Sequence, residues 1–67
     1  MKIWVNKEQQ QYSNPLTLQE LLVKLDKADK QGIAVAINNS VIPKQNWLKK
    51  IIEYNDRITI ISATQGG

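Results

Sequence analysis

Sixty-seven residues hold one domain and a single core, because a chain this short buries only about 60% of its unfolded surface. Neither Cys nor His occurs, which removes disulfides, thiolate nucleophiles, imidazole bases and the usual zinc ligands, so no metal site or catalytic residue is expected. Nine basic residues against six acidic ones give +3, but the cations are dispersed among Glu8, Glu20, Asp26, Asp29, Glu53 and Asp56, and no basic run is interleaved with stacking aromatics, so nucleic acid is not the expected partner.

Residues 2–6 alternate, with Met1, Ile3 and Val5 on one face and Lys2, Trp4 and Asn6 on the other, the period of a half-buried strand. Asn6-Lys7-Glu8 predicts a tight turn, and Gln9 to Ser13 returns as a polar edge strand. Asn14-Pro15 breaks that strand. Thr17-Leu18-Gln19-Glu20 matches a capping box, and Leu18, Leu21, Leu22 and Leu25 follow at i, i+3, i+4 and i+7 as the apolar stripe of a helix. That helix is expected to fray across residues 27–30 and to stop before Gly32.

Ile33 to Ile37 is apolar at every position, which predicts an interior strand shielded on both faces. Asn38-Asn39-Ser40 turns into a short strand at Val41-Ile42, ended by Pro43. Trp47, Leu48, Ile51 and Ile52 lie near helical spacing over residues 45–52 and predict a short helical turn that closes the core, with Trp47 as packing. Tyr54-Asn55-Asp56 is a further turn signal, and the β-branched stretch Arg57 to Ile61 is the last predicted strand. The physical reading is an α+β roll: a mixed sheet of about five strands around one main helix, partitioned into a domain over residues 1–61 and a flexible tail over 62–67. No stretch approaches the roughly 18 consecutive apolar residues of a membrane span, and Met1 opens directly on Lys2-Ile3-Trp4-Val5, so a cytoplasmic protein without a membrane partner is expected.

Chemistry concentrates at the end of the chain. Ser62-Ala63-Thr64-Gln65-Gly66-Gly67 has small and polar residues and two terminal glycines. At about 3.3 to 3.6 Å per extended residue, such a tail reaches roughly 20 Å from the domain, far enough to enter another protein's active site. Glycine has no Cβ, so Gly66 can thread a narrow channel and the Gly67 carbonyl stays open to a nucleophile. A terminal carboxylate, with a pKa of about 3.3 to 3.7, is anionic at neutral pH and a poor electrophile until a partner activates it. Adenylation with ATP would supply the leaving group, and a sulfur nucleophile could then give a thiocarboxylate. Trp4 is the conspicuous outward-facing aromatic, and Ile61 and Gln65 lie near or in the tail; these three are candidate partner-binding residues, with cover of the sheet's second face as the plain alternative for Trp4.

The order and spacing of Leu16 to Leu22, Val35 to Trp47, Asp56-Arg57-Ile58 and the closing Gly66-Gly67 resemble the ThiS family of sulfur carriers in thiamin thiazole synthesis, within the ubiquitin-like β-grasp group. The resemblance spans nearly the whole chain. It implies a β-grasp fold, no bound cofactor, and a carrier that is not itself an enzyme. Gly67 would be adenylated by an E1-like, ThiF-type enzyme that uses ATP, loaded with sulfur from a cysteine-derived donor, and presented to a ThiG-type thiazole synthase. This chain has Asn6-Lys7 and Asn55-Asp56 where such relatives often carry Asn-Gly and Gly-Asp. A molybdopterin-type sulfur carrier or a ubiquitin-like modifier keeps the tail chemistry with another destination, and an RNA-binding β-grasp module would use the basic surface instead.

Overall fold

The computed structural model describes residues 1–13, 15–29 and 31–62. The reactive end expected at Gly66 and Gly67, together with Gln65, lies outside the described residues. Among the described residues, five strands form one sheet in the order β2-β1-β5-β3-β4: β1 (Lys2–Val5), β2 (Glu8–Gln11), β3 (Ile33–Ile37), β4 (Ser40–Val41) and β5 (Arg57–Ser62). β1 and β5 are parallel and every other pair is antiparallel. The last strand is therefore the middle one. The helix α1 (Leu18–Lys24) crosses from β2 to β3 and packs on one face of the sheet.

Both hairpins turn on two residues with positive φ, Asn6 (49°) with Lys7 (73°) and Asn38 (51°) with Asn39 (72°). This is the pairing whose twist matches that of the flanking strands, and it fixes the registers Val5↔Glu8 and Ile37↔Ser40. Asparagine tolerates this region; Lys7 has no such excuse, and a single left-handed residue of its kind costs about 1–2 kcal/mol.

The capping box forms as the sequence predicts: Glu20 N–H donates to Thr17 Oγ1 at 3.1 Å and Thr17 N–H donates to Glu20 Oε1 at 2.7 Å. The helix ends earlier than expected. Leu25 is its C-cap, Asp26 turns left-handed at φ 61°, and Lys27 N–H and Asp26 N–H return to the carbonyls of Leu22 and Val23, the paired bonds of a Schellman stop. Leu18, Leu21 and Leu22 are fully buried beneath Ile3, Val5, Val35, Ile37, Ile58 and Ile60, each such side chain contributing about 1.5–3 kcal/mol of transfer free energy. No described helix is long and apolar enough to cross a membrane.

Two expectations need correction. β3 is not shielded on both faces, because Ala34 is exposed while Val35 and Ile37 alone are buried. The segment after Pro43 forms a single 3-10 turn over Lys44–Asn46, so its apolar residues do not share one face. Trp47 and Ile52 are buried, whereas Leu48 and Ile51 are exposed. Trp47 packs, as expected, and its indole Nε1 donates to the Ile42 carbonyl at 3.0 Å.

Side-chain amides extend the sheet where its backbone pairing runs out. Past the end of β1, Asn6 accepts the Ile60 N–H on Oδ1 at 2.8 Å and donates Nδ2 to the Ile60 carbonyl at 3.3 Å. Past the end of β3, Asn38 accepts the Arg57 N–H on Oδ1 at 3.0 Å, while its own N–H donates to the Arg57 carbonyl at 2.8 Å. The Asn38 Nδ2 also donates to Asp56 Oδ1 at 3.0 Å, and Asp56 Oδ2 accepts the Glu53 N–H at 2.8 Å, so this carboxylate, only 8% exposed, is held by donors from two segments. Asn38→Ala should therefore lower unfolding stability by about 2 kcal/mol or more, against about 1 kcal/mol for Thr17→Ala, both read from urea midpoints. A cost for Asn38→Ala below about 0.5 kcal/mol, the size of an ordinary surface substitution, would contradict this account.

Candidate functional site

Strand alternation fixes what lies on the face opposite α1. Ile58 and Ile60 of β5 point to the core, so Arg57, Thr59 and Ile61 point away from it. Register carries this across the sheet: Trp4 stands beside Arg57, Ala36 beside Thr59, Ala34 beside Ile61, and Val41 beside Ala36. Lys2 and Trp4 share this side of β1, with Gln11 and Gln9 opposite them on β2. The face is apolar at Ile61, 59% exposed, and on the β4 edge at Val41, 72% exposed, and cationic where Lys2 and Arg57 stand.

At the cationic end, an open groove of about 580 Å³ lies between the two asparagine turns, lined by Trp4, Asn6, Lys7, Asn38, Arg57 and Thr59 among others. Lys2 places its Nζ 5.8 Å from the centre of the Trp4 ring, within cation–π range. Among the described residues, no group of three or more acidic side chains could hold a metal ion. The described surface offers cations, an indole and apolar area, which suit binding to another molecule.

The structure puts Trp4 and Ile61 on one face but not side by side. Trp4 is level with Arg57, and Ile61 lies four residues further along β5, about 13 Å at the rise of a strand. Trp4 is half-buried. The strand itself continues through Ser62, paired with Ile33, one residue beyond the sequence expectation. Sequence reasoning passed over Lys7, Arg57 and Val41 as parts of this face. Their sequence neighbours give no sign of it, since β1, β5 and β3 meet only through pairings between distant parts of the chain. The available signal was the alternation of β5, which sets Arg57 and Thr59 on the side of Ile61.

A sequence profile of the ThiS family matches residues 3–67, nearly the entire chain. The chain belongs to the ThiS family. Across 67 residues, and covering all of both proteins, it is 33% identical to the sulfur carrier protein ThiS of Escherichia coli (strain K12). Its fold is similar to the crystal structure of the thiamine biosynthesis protein ThiS from Geobacter metallireducens, with a TM-score of 0.85 at 22% identity over the whole of both chains. An NMR solution structure of a thiamine biosynthesis protein from the same organism gives 0.81 at 22% identity, covering all of this chain and 88% of that one. The ubiquitin-like β-grasp fold expected from the resemblance is thus the fold of this ThiS-family chain.

The assignment of faces in this ThiS-family sheet can be checked by paired substitutions on adjacent residues. Ile61→Ser should change unfolding stability by less than about 0.5 kcal/mol, whereas Ile60→Ala should cost about 2–4 kcal/mol. Equal costs in urea unfolding would mean that the alternation of β5 is misassigned.

Proposed function

We propose that this chain is a sulfur carrier for thiamin thiazole synthesis, with the β-grasp domain, whose last strand runs through Ser62, as the scaffold and the Gly66-Gly67 end as the working group. The observation that carries the reading is the family match through residue 67, joined to 33% identity with a sulfur carrier along the full length of both chains. In this reading the Gly67 carboxylate oxygen attacks the α-phosphorus of ATP in an E1-like, ThiF-type partner, and pyrophosphate leaves. Hydrosulfide released from a cysteine-derived donor then attacks the Gly67 carbonyl carbon and displaces AMP, and loss of the sulfur's proton leaves a thiocarboxylate. A ThiG-type thiazole synthase accepts that sulfur.

The partner supplies the activation, and this chain supplies an unhindered acyl terminus, so it acts as a carried substrate and not as an enzyme. Gly66 lets the end pass through a channel that a Cβ would block. Trp4 and Ile61 on the open face, and Gln65 in the tail, contact the partner. A central strand suits this work, because β5 lies between β1 and β3 and stays paired with β3 through Ser62.

Incubation with the adenylating partner, ATP and a sulfur donor should raise the intact mass by the difference between sulfur and oxygen. Deletion of Gly67 should abolish that gain and leave the urea midpoint unchanged, since chain ends contribute little burial. An unchanged wild-type mass, with the partner shown active by ATP–pyrophosphate exchange, would refute the reading.

A further inference from the structure

The groove between the two asparagine turns has features that the tail chemistry does not use. Its walls are rigid, because the Asn6 and Asn38 side chains are both committed to the β5 backbone. Its cations are Lys7 and Arg57, with Lys2 beside the Trp4 ring. Lys7 is held at φ 73°, a conformation that favours glycine or asparagine, so the position keeps a charged side chain at the groove against a backbone cost. Among the described residues, the strand positions facing this side carry Lys2 and Arg57 and no carboxylate. Asp56, next in sequence to Arg57, is turned inward and engaged by Asn38 and Glu53.

We propose that this groove receives an Asp or Glu side chain from the protein that docks on the open face. The inference rests on the reading that a partner docks there, and it adds the chemistry of the anchor. A guanidinium presents a fork of donors that matches a carboxylate, and the nearby ammonium groups add charge. Two observations favour a protein carboxylate over nucleic acid. The Trp4 ring already has Lys2 over it, so it is not an open platform for a base. The same sheet face also carries Ala34, Val41 and Ile61, and apolar area beside a charged contact is what a protein interface offers. Arg57 lies five residues before Ser62, so the anchor sits roughly 16 Å from the last residue of β5. A charged contact that far from the tail orients the carrier on its partner.

The test measures the affinity of the full chain for the purified adenylating partner between about 50 and 300 mM salt, a range over which screening sharpens. Wild type should weaken as salt rises. The double variant Lys7→Asn/Arg57→Gln should bind about tenfold more weakly at low salt and lose most of the salt dependence. Asn keeps the left-handed tolerance of position 7, and an unchanged thermal midpoint checks the fold. Lys24→Gln/Lys27→Gln, with the same loss of net charge elsewhere, should bind like wild type. If the double variant matches wild type in affinity and salt slope while wild type gains its sulfur mass, the groove assignment is overturned and the carrier reading stands. Absence of both mass gain and binding in wild type would overturn the two together. A short oligouridylate that binds in the same salt range and is lost in the double variant, with partner binding intact, would overturn the carboxylate in favour of nucleic acid.

Discussion

The structure depends on one constraint: the C-terminal strand must occupy the middle of the sheet, parallel to the N-terminal strand on one side and antiparallel to β3 on the other. Neither neighbour is long enough to pair with all of it, and each ends in an asparagine whose side chain takes over. An amide group offers a donor and an acceptor in the arrangement of a peptide unit, so it can continue a ladder through a residue that has already turned away. With β5 fixed, one side of the sheet closes over Leu18, Leu21 and Leu22, and the other stays open. The solvent-facing side is what remains once the helix has taken its own.

Much of the architecture was legible because it is written locally. The capping box at Thr17 and Glu20 needs only four consecutive residues, and the leucine stripe needs two turns of helix. The limits of β3 were readable because Gly32 and Asn38 flank an unbroken apolar run. What failed were inferences that treated apolar character as burial. Leu48 and Ile51 sit near the spacing of Trp47 and Ile52, yet a 3-10 turn followed by a further turn and the isolated bridge of Ile51 to Thr17 does not repeat every 3.6 residues, so the periodicity had no helix to act on. The early stop at Asp26 has little sequence signature, because aspartate is a rarer left-handed residue than glycine and Gly32 lies only a few residues beyond it.

The candidate site was only half legible. Trp4 and Ile61 could be assigned outward from the alternation of their own strands. Their relation to Lys7, Arg57 and Val41 comes from β1 lying against β5 and β3 beyond it, a fact of strand order that no single segment states. Asn6 and Asn38 were read as turn formers, which they are, but their second role as surrogate peptide units depends on a strand at the other end of the sequence.

The place of β5 has a further consequence for how the molecule is made. During synthesis the middle strand emerges last, so residues 1–56 exist first as two hairpins and a helix with no common sheet to join them. Hairpins of that size are marginal in water on their own. Collapse into the native state must await the arrival of Arg57 to Ser62, and its rate is governed by the search that brings β5 against β1 across more than fifty residues of sequence. A nascent copy that lacks residues 57–62 has no completed sheet, so the open face takes shape only when the middle strand has arrived.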